Sequence, residues 1–183
     1  AMTAVVLEGR HLGHAYGAEP VLTDVSVAID AGEVMAVMGP SGSGKSTLIR
    51  HINRLIDPTI GQVLVGGQEV DISTPMTAAQ HGIQTVHQRI DDSIIPDLTV
   101  AENLVFEEMV RGSGPKVRTL KSLLPRAREI AQTLDLNWSD SFLLKDAFEI
   151  GIADAQLLLL ARALHHRPTV LILDEPTSTL SAA

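Results

Sequence analysis

Apolar and polar positions alternate most clearly between Val21 and Ile29, where Val21, Thr23, Val25, Val27 and Ile29 share one face. That is the period of two expected of a half-buried strand. Val5 to Leu12 predicts another strand and Gln62 to Val65 a short third, followed by the turn pair Gly66-Gly67. Together they predict a small antiparallel sheet. Val34-Met35-Ala36-Val37-Met38 is instead a continuous apolar run, the pattern of a strand covered on both sides. After it, Leu48, Ile49, Ile52, Leu55 and Ile56 recur at helical spacing from Ser46 to Ile56. That helix should stop at Asp57-Pro58, because the residue before a proline resists helical backbone. Ile83 to Val86 predicts one more short strand.

From Pro96 to about His166 the pattern is helical. Thr99-x-x-Glu102 forms a capping box for a helix through Arg111, and Arg111 to Pro115 is a loop. Pro125 suits the first position of a helix reaching Leu136, and Ala153 to His166 predicts a further helix whose Leu157 to Leu160 run is buried on several sides. His165, His166 and Arg167 at its end read as cations facing the helix C-terminus. Val170-Leu171-Ile172-Leu173 is a buried strand that delivers Asp174 and Glu175 before Pro176 stops pairing. The fold class is therefore α/β: a mostly parallel core sheet, a small antiparallel β subdomain and an inserted helical subdomain. One domain should span 1–183, with 1–95 and 166–183 as core plus β subdomain and 96–165 as helical subdomain.

Composition narrows the function. The 183 residues are 45% hydrophobic and 20% charged, ordinary for a soluble globular domain. A net charge of −8 without clustered Lys and Arg argues against nucleic acid as a partner. No apolar run approaches the ~18 residues of a membrane span, and AMTAVVLEGR lacks a signal-peptide core. Any membrane contact is expected to go through another protein. The absence of cysteine excludes disulfides and thiolate metal sites and is compatible with the cytosol. Ala1 before Met2 reads as a cloning remnant.

The strongest chemical signal is GPSGSGKST, with Gly39, Pro40, Ser41, Gly42, Ser43, Gly44, Lys45, Ser46 and Thr47 between a predicted strand and helix. This is the G-x-x-x-x-G-K-[ST] phosphate-binding loop in its required context, which marks a P-loop NTPase. Gly39, Gly42 and Gly44 can take positive φ, so that successive N–H groups turn toward an anion. The following helix directs its partial positive end at the same place. Lys45 supplies charge to β- and γ-phosphates, Ser46 is suited to ligate Mg²⁺, and Thr47 can reach an α-phosphate. Asp174 and Glu175 need positive partners at a strand end; Asp174 would hold magnesium through water, while Glu175 would orient or deprotonate the attacking water. The single tyrosine, Tyr16, can stack on adenine or be a half-buried loop aromatic, and pattern alone leaves both open. Gln88, just past a strand end, lies where open α/β sheets bind ligands, with an ordinary solvated amide as the alternative.

The order of Tyr16, GPSGSGKST, VHQ, a helical lobe, ARAL and LILDEPTS resembles the ATP-binding cassette of ABC transporters over essentially the whole chain. The resemblance implies that Tyr16 is the adenine-stacking aromatic, Gly39 to Thr47 the Walker A loop, and Gln88 the Q-loop glutamine and a magnesium contact. Asp174 and Glu175 match the Walker B aspartate and the catalytic glutamate. It further implies ATP and Mg²⁺ as cofactors and ATP hydrolysis assisted by Glu175, Gln88 and Lys45. Transmembrane permease subunits are implied as partners docking in a groove near Gln88, together with a second cassette and, indirectly, a periplasmic solute-binding protein. The implied location is the cytoplasmic face of the inner membrane.

Departures from the family pattern sharpen the expectation. The signature LSGGQ falls on Ile150, Gly151, Ile152, Ala153 and Asp154, so side chains stand where N–H groups should approach phosphate, and Asp154 adds a like charge. IGIADAQ, GIQTVHQ and Ser181 in place of the usual aspartate resemble the first cassette of the tandem ATPases that power bacterial monosaccharide uptake, of the ribose, xylose and galactose type. Since Ala183 follows Ser181 so closely, the chain is expected to be a truncated cassette lacking the last core strand and the switch histidine, nearly inactive alone. The alternatives are an importer ATPase for a non-sugar solute and a regulatory module that binds nucleotide without hydrolysis.

Overall fold

The computed structural model describes residues 5–53, 60–70, 74–86, 93–110 and 119–174. Described residues within Ala1–Thr85 and Pro168–Ile172 form one compact unit, and those within Val86–Arg167 and Leu173–Ala183 a second.

In the first unit, β1 (Val5–Tyr16) and β2 (Glu19–Asp30) form a long antiparallel hairpin. Both strands extend further toward the turn than the hydrophobic pattern suggests, because the reversal is made at Gly17, whose φ of 65° suits glycine. On its other edge β1 pairs with β3 (Ile60–Val65), which turns through Gly66-Gly67 into β4 (Gln68–Glu69), giving the order β2-β1-β3-β4. The expected antiparallel sheet is present. Helix α1 (Lys45–Ile52) buries Leu48 and Ile52 in the same apolar cluster as Leu7, Leu22 and Val63. The helix ends at Ile52 with Asn53 as its C-cap, before the expected stop at Asp57-Pro58, a pair that itself lies outside the described residues. A short helix, α2 (Pro75–Gln80), was not anticipated, although its signal was present: Thr74 Oγ1 accepts from the Thr77 N–H at 3.1 Å and proline fills the first turn.

Strands β5 (Ile83–Val86) and β6 (Val170–Leu173) form a two-stranded sheet. The Val170 N–H donates to the Gly82 carbonyl and the Asp174 N–H to the Val86 carbonyl, each at 3.0 Å. The constant offset means the strands run parallel. Ile83 and Val170 join Leu48 and Ile52 in the core cluster, so the helix behind the phosphate loop and this parallel pair share one interior. One expected strand fails. Val34 to Met38 has no sheet partner among the described residues, and Val34 and Met38 are 95% and 89% exposed. An apolar run becomes a strand only where a ladder satisfies its N–H and C=O groups, and the described residues supply none.

The second unit is helical: α3 (Val100–Val110), α4 (Leu120–Gln132), α5 (Asp140–Leu143) and α6 (Ile152–His165). Its apolar interior includes Leu104, Val105, Ala127, Ile130, Leu158 and Ala161, all at most 1% exposed. The Thr99–Glu102 capping box forms as expected, with Thr99 N–H donating to Glu102 Oε2 at 2.8 Å and Glu102 N–H to Thr99 Oγ1 at 3.2 Å. Pro125 does not start α4. Thr119 and Ser122 cap that helix earlier, leaving Pro125 inside it and the Lys121 carbonyl without the bond its N–H would have made. Buried Asn103 fastens the chain entering α3: its Oδ1 accepts from the Ile95 N–H at 2.9 Å, and its Nδ2 donates to the Ile95 and Thr99 carbonyls at 2.9 and 3.1 Å.

Candidate functional site

The Gly39–Thr47 loop is built around two left-handed glycines, Gly42 at φ 81° and Gly44 at φ 88°. Gly39 does not take positive φ as expected; its missing side chain serves a close approach instead, since a Cβ would lie 2.6 Å from Ser43 Oγ. A turn bond from the Ser43 N–H to the Pro40 carbonyl, 3.2 Å, closes the loop. Lys45 Nζ donates to the carbonyls of Gly39 and Pro40 at 2.7 and 2.9 Å, so its positive charge is carried against the loop itself. Helix α1 starts at Lys45 with no side-chain cap and no acid in its first turn, and its partial positive end is therefore uncompensated by a carboxylate. Ser41, Gly42, Ser43 and Ser46 are exposed, whereas Thr47 is buried.

These residues fit a nucleotide's phosphates: donors at an uncapped helix start, a lysine charge, glycines at close approach, and no acid in the first turn of α1. Ser46 adds an exposed hydroxyl, a hard oxygen of the kind magnesium prefers. The loop is anchored from behind. A Cβ on Gly44 would sit 3.1 Å from the Val21 carbonyl oxygen and from Leu22 Cδ2, so β2 abuts the point where the loop becomes helix.

Tyr16 ends β1 rather than lying in a loop, and it is 50% exposed. Its ring meets His14 edge-on, with centroids 4.6 Å apart at 77°, and His14 in turn lies 4.7 Å from the buried ring of His51 on α1. Sequence reasoning missed both histidines; the usable signal was the i, i+2 spacing of His14 and Tyr16, which puts them on one face once β1 is extended to Tyr16.

Asp174 follows β6, and its backbone N–H is held by the end of β5. Gln88 and Glu175 lie outside the described residues. In the second unit, Gly151 is the N-cap of α6, exposed and at an ordinary φ of −68°, and a Cβ there would meet nothing within 4 Å. Ile150 is partly buried, Ile152 and Ala153 are exposed, and Asp154 lies in the first turn of the helix. A carboxylate there satisfies the helix dipole and repels phosphate.

At the other end of α6, His165 departs from its expected role as a helix-terminal cation. Arg126 Nη2 lies 2.9 Å from His165 Nε2 and also pairs with Glu108, while His165 Nδ1 is 3.5 Å from Thr133 Oγ1. Arginine can only donate, so the Arg126 contact calls for Nε2 as an acceptor, while Glu108 Oε1 lies 3.6 Å from the same nitrogen. Burial first, then the Arg126 charge, lowers the His165 pKa below its ordinary value. His166 Nε2 faces Glu107 at 3.2 Å.

Residues 22–178 match the sequence family described as ABC transporter. The chain is 34% identical over 178 residues to the ribose import ATP-binding protein RbsA of Corynebacterium glutamicum, covering 97% of this chain and 33% of that protein. It is 33% identical over 177 residues to RbsA 2 of Escherichia coli O157:H7, covering 97% and 34%. The chain thus spans about a third of the length of these curated relatives. Among solved structures, a nucleotide-free ATP-binding cassette from an ABC transporter aligns with TM-score 0.77 and 25% identity, over 97% of this chain and 71% of that one. An ABC transporter cassette in its ADP conformation aligns with TM-score 0.77 and 25% identity, over 99% and 72%.

Proposed function

The chain belongs to the ABC transporter family, and from that premise we propose that it is an ATP-binding cassette that hydrolyses ATP to drive solute import through transmembrane permease subunits. The observation that carries this reading is the Gly39–Thr47 loop, with left-handed Gly42 and Gly44, the Lys45 charge held against it, and an α1 start free of acids. Among the described residues no helix is long and apolar enough to cross a membrane. In this reading, which rests on the family match, the cassette is peripheral at the cytoplasmic face and the pathway is provided by other subunits.

In this reading the loop amides and Lys45 hold the phosphates, Tyr16 stacks on the base, and Ser46, Gln88 and Asp174 hold the metal. Magnesium supplies Lewis-acid charge to phosphate oxygens when bound. Glu175 accepts the proton of the water that attacks the γ-phosphate, and Gln88 links the site to a groove that docks the permease. The ribose-import relatives support a sugar as the solute; a periplasmic binding protein and a second cassette complete the proposed assembly. The helical unit corresponds in this reading to the inserted subdomain, proposed at 96–165.

A second reading, a nucleotide-binding regulatory module, is favoured by Gly151 and Asp154 at the start of α6, a poor end for grasping phosphate. Replacing Glu175→Gln in the transporter that contains this cassette separates the two. Retained ATP binding with lost transport is the result expected of the ATPase; unchanged transport overturns it in favour of the regulatory module.

A further inference from the structure

We propose that His14 is a positioning residue for the base end of the nucleotide site. It holds the ring of Tyr16 and connects it, through His51, to the helix that carries the phosphate loop. The inference rests on the reading of Tyr16 as the base-stacking aromatic and adds to it the device that orients that ring.

Tyr16 is the last residue of its strand and half exposed, a position where an aromatic side chain would otherwise exchange among rotamers. His14 lies two residues back on the same strand, paired across the ladder with Leu22, while Tyr16 pairs with Glu19. The strand period puts both rings on one face. Their 4.6 Å separation at 77° is an edge-to-face contact, which restricts the Tyr16 ring while leaving half of that residue's surface accessible. His14 is itself braced. Its ring lies 4.7 Å from His51 at 59°, and His51 is completely buried on α1, six residues beyond Lys45.

A second contact joins the same elements: the carbonyl of Val21 on β2 would lie 3.1 Å from a Cβ on Gly44. The hairpin therefore meets the loop-and-helix segment at two places within one compact unit, at Gly44 by a close backbone approach and at His51 on α1 through a chain of three rings. Such bracing lowers the ordering cost of stacking a base on Tyr16. It has no bearing on a ligand that lacks a base.

The test uses calorimetry on this chain with magnesium-ATP and with magnesium inorganic triphosphate, which has no base. Tyr16→Ala should weaken ATP binding and leave triphosphate unchanged. His14→Leu should weaken ATP about three- to tenfold, the size of a lost aromatic pair, again sparing triphosphate. His14→Phe, which keeps an aromatic edge, should restore ATP affinity to within about twofold. If Tyr16→Ala costs affinity but His14→Leu does not, or if phenylalanine is no better than leucine, the role of His14 is overturned. Equal losses for both ligands in His14→Leu would overturn it too, marking damage to the loop. An unaffected Tyr16→Ala would instead remove the base-stacking reading itself. Circular dichroism checks that each variant is folded, and His14→Gln replaces His14→Leu if the leucine variant is not.

Discussion

Helices α1 and α6 begin alike and are equipped in opposite ways. Each starts directly after a glycine, Gly44 or Gly151, and neither has a side-chain cap. At α1 the glycine is favoured twice: its φ is 88°, and a Cβ would press on β2 at 3.1 Å. At α6 the glycine has ordinary backbone and open space around it. The first turn of α1 contains Lys45 and no acid, whereas that of α6 contains Asp154. A helix start offers free N–H groups wherever it occurs. The neighbouring charge and the curvature of the preceding loop decide whether an anion is welcome.

Four substitutions can break or sharpen this contrast. The largest effect is expected from Lys45→Ala, which removes the charge held against the loop; magnesium-ATP affinity by calorimetry should fall about ten- to a hundredfold. Gly44→Ser forces a side chain into left-handed backbone, and thermal or urea unfolding should record a loss of roughly 1–2 kcal/mol. Undiminished stability there would mean that the loop does not need its conformation. Asp154→Asn should cost about 0.3–1 kcal/mol by the same measurement at low salt, the worth of a carboxylate at a helix start. Smallest is Gly151→Ser, where an oxygen cap becomes available at compatible backbone and stability should rise by about 0.3 kcal/mol. The two glycine-to-serine changes thus carry opposite signs, and equal signs would erase the distinction between the two ends.

Several local features, with partners a few residues apart, were legible, although the equally local Thr74 cap and Thr119–Ser122 box were not. The phosphate loop, the Thr99–Glu102 box and the Gly66-Gly67 turn each depend on residues within a few positions, and each is present. Val34 to Met38 shows the limit of such reading. Its pattern is that of a buried strand, yet pairing is decided by a ladder elsewhere in the chain, which the run cannot encode. Pro125 was misplaced because the Thr119–Ser122 box starts the helix one turn earlier and tolerates a proline within it. His165 is expected as a charge at a helix end, but burial and Arg126, brought in from α4, lower its pKa. His14 and His51 escaped notice for the same reason: they meet across two elements, and nothing in either local pattern points to the other.

The amide clasp of Asn103 carries a consequence for the stretch 93–99, which precedes α3 without being helical. The Ile95 N–H is bonded to a side chain whose own carbon skeleton is buried in the helical interior, and Arg162 on α6 grips the Ser93 carbonyl at 3.1 Å. Release of either bond requires α3 or α6 to loosen. The deuterium uptake of Ile95 should therefore keep time with the opening of the helices and not with that of a loop, so that a pull on this irregular stretch is felt directly by both.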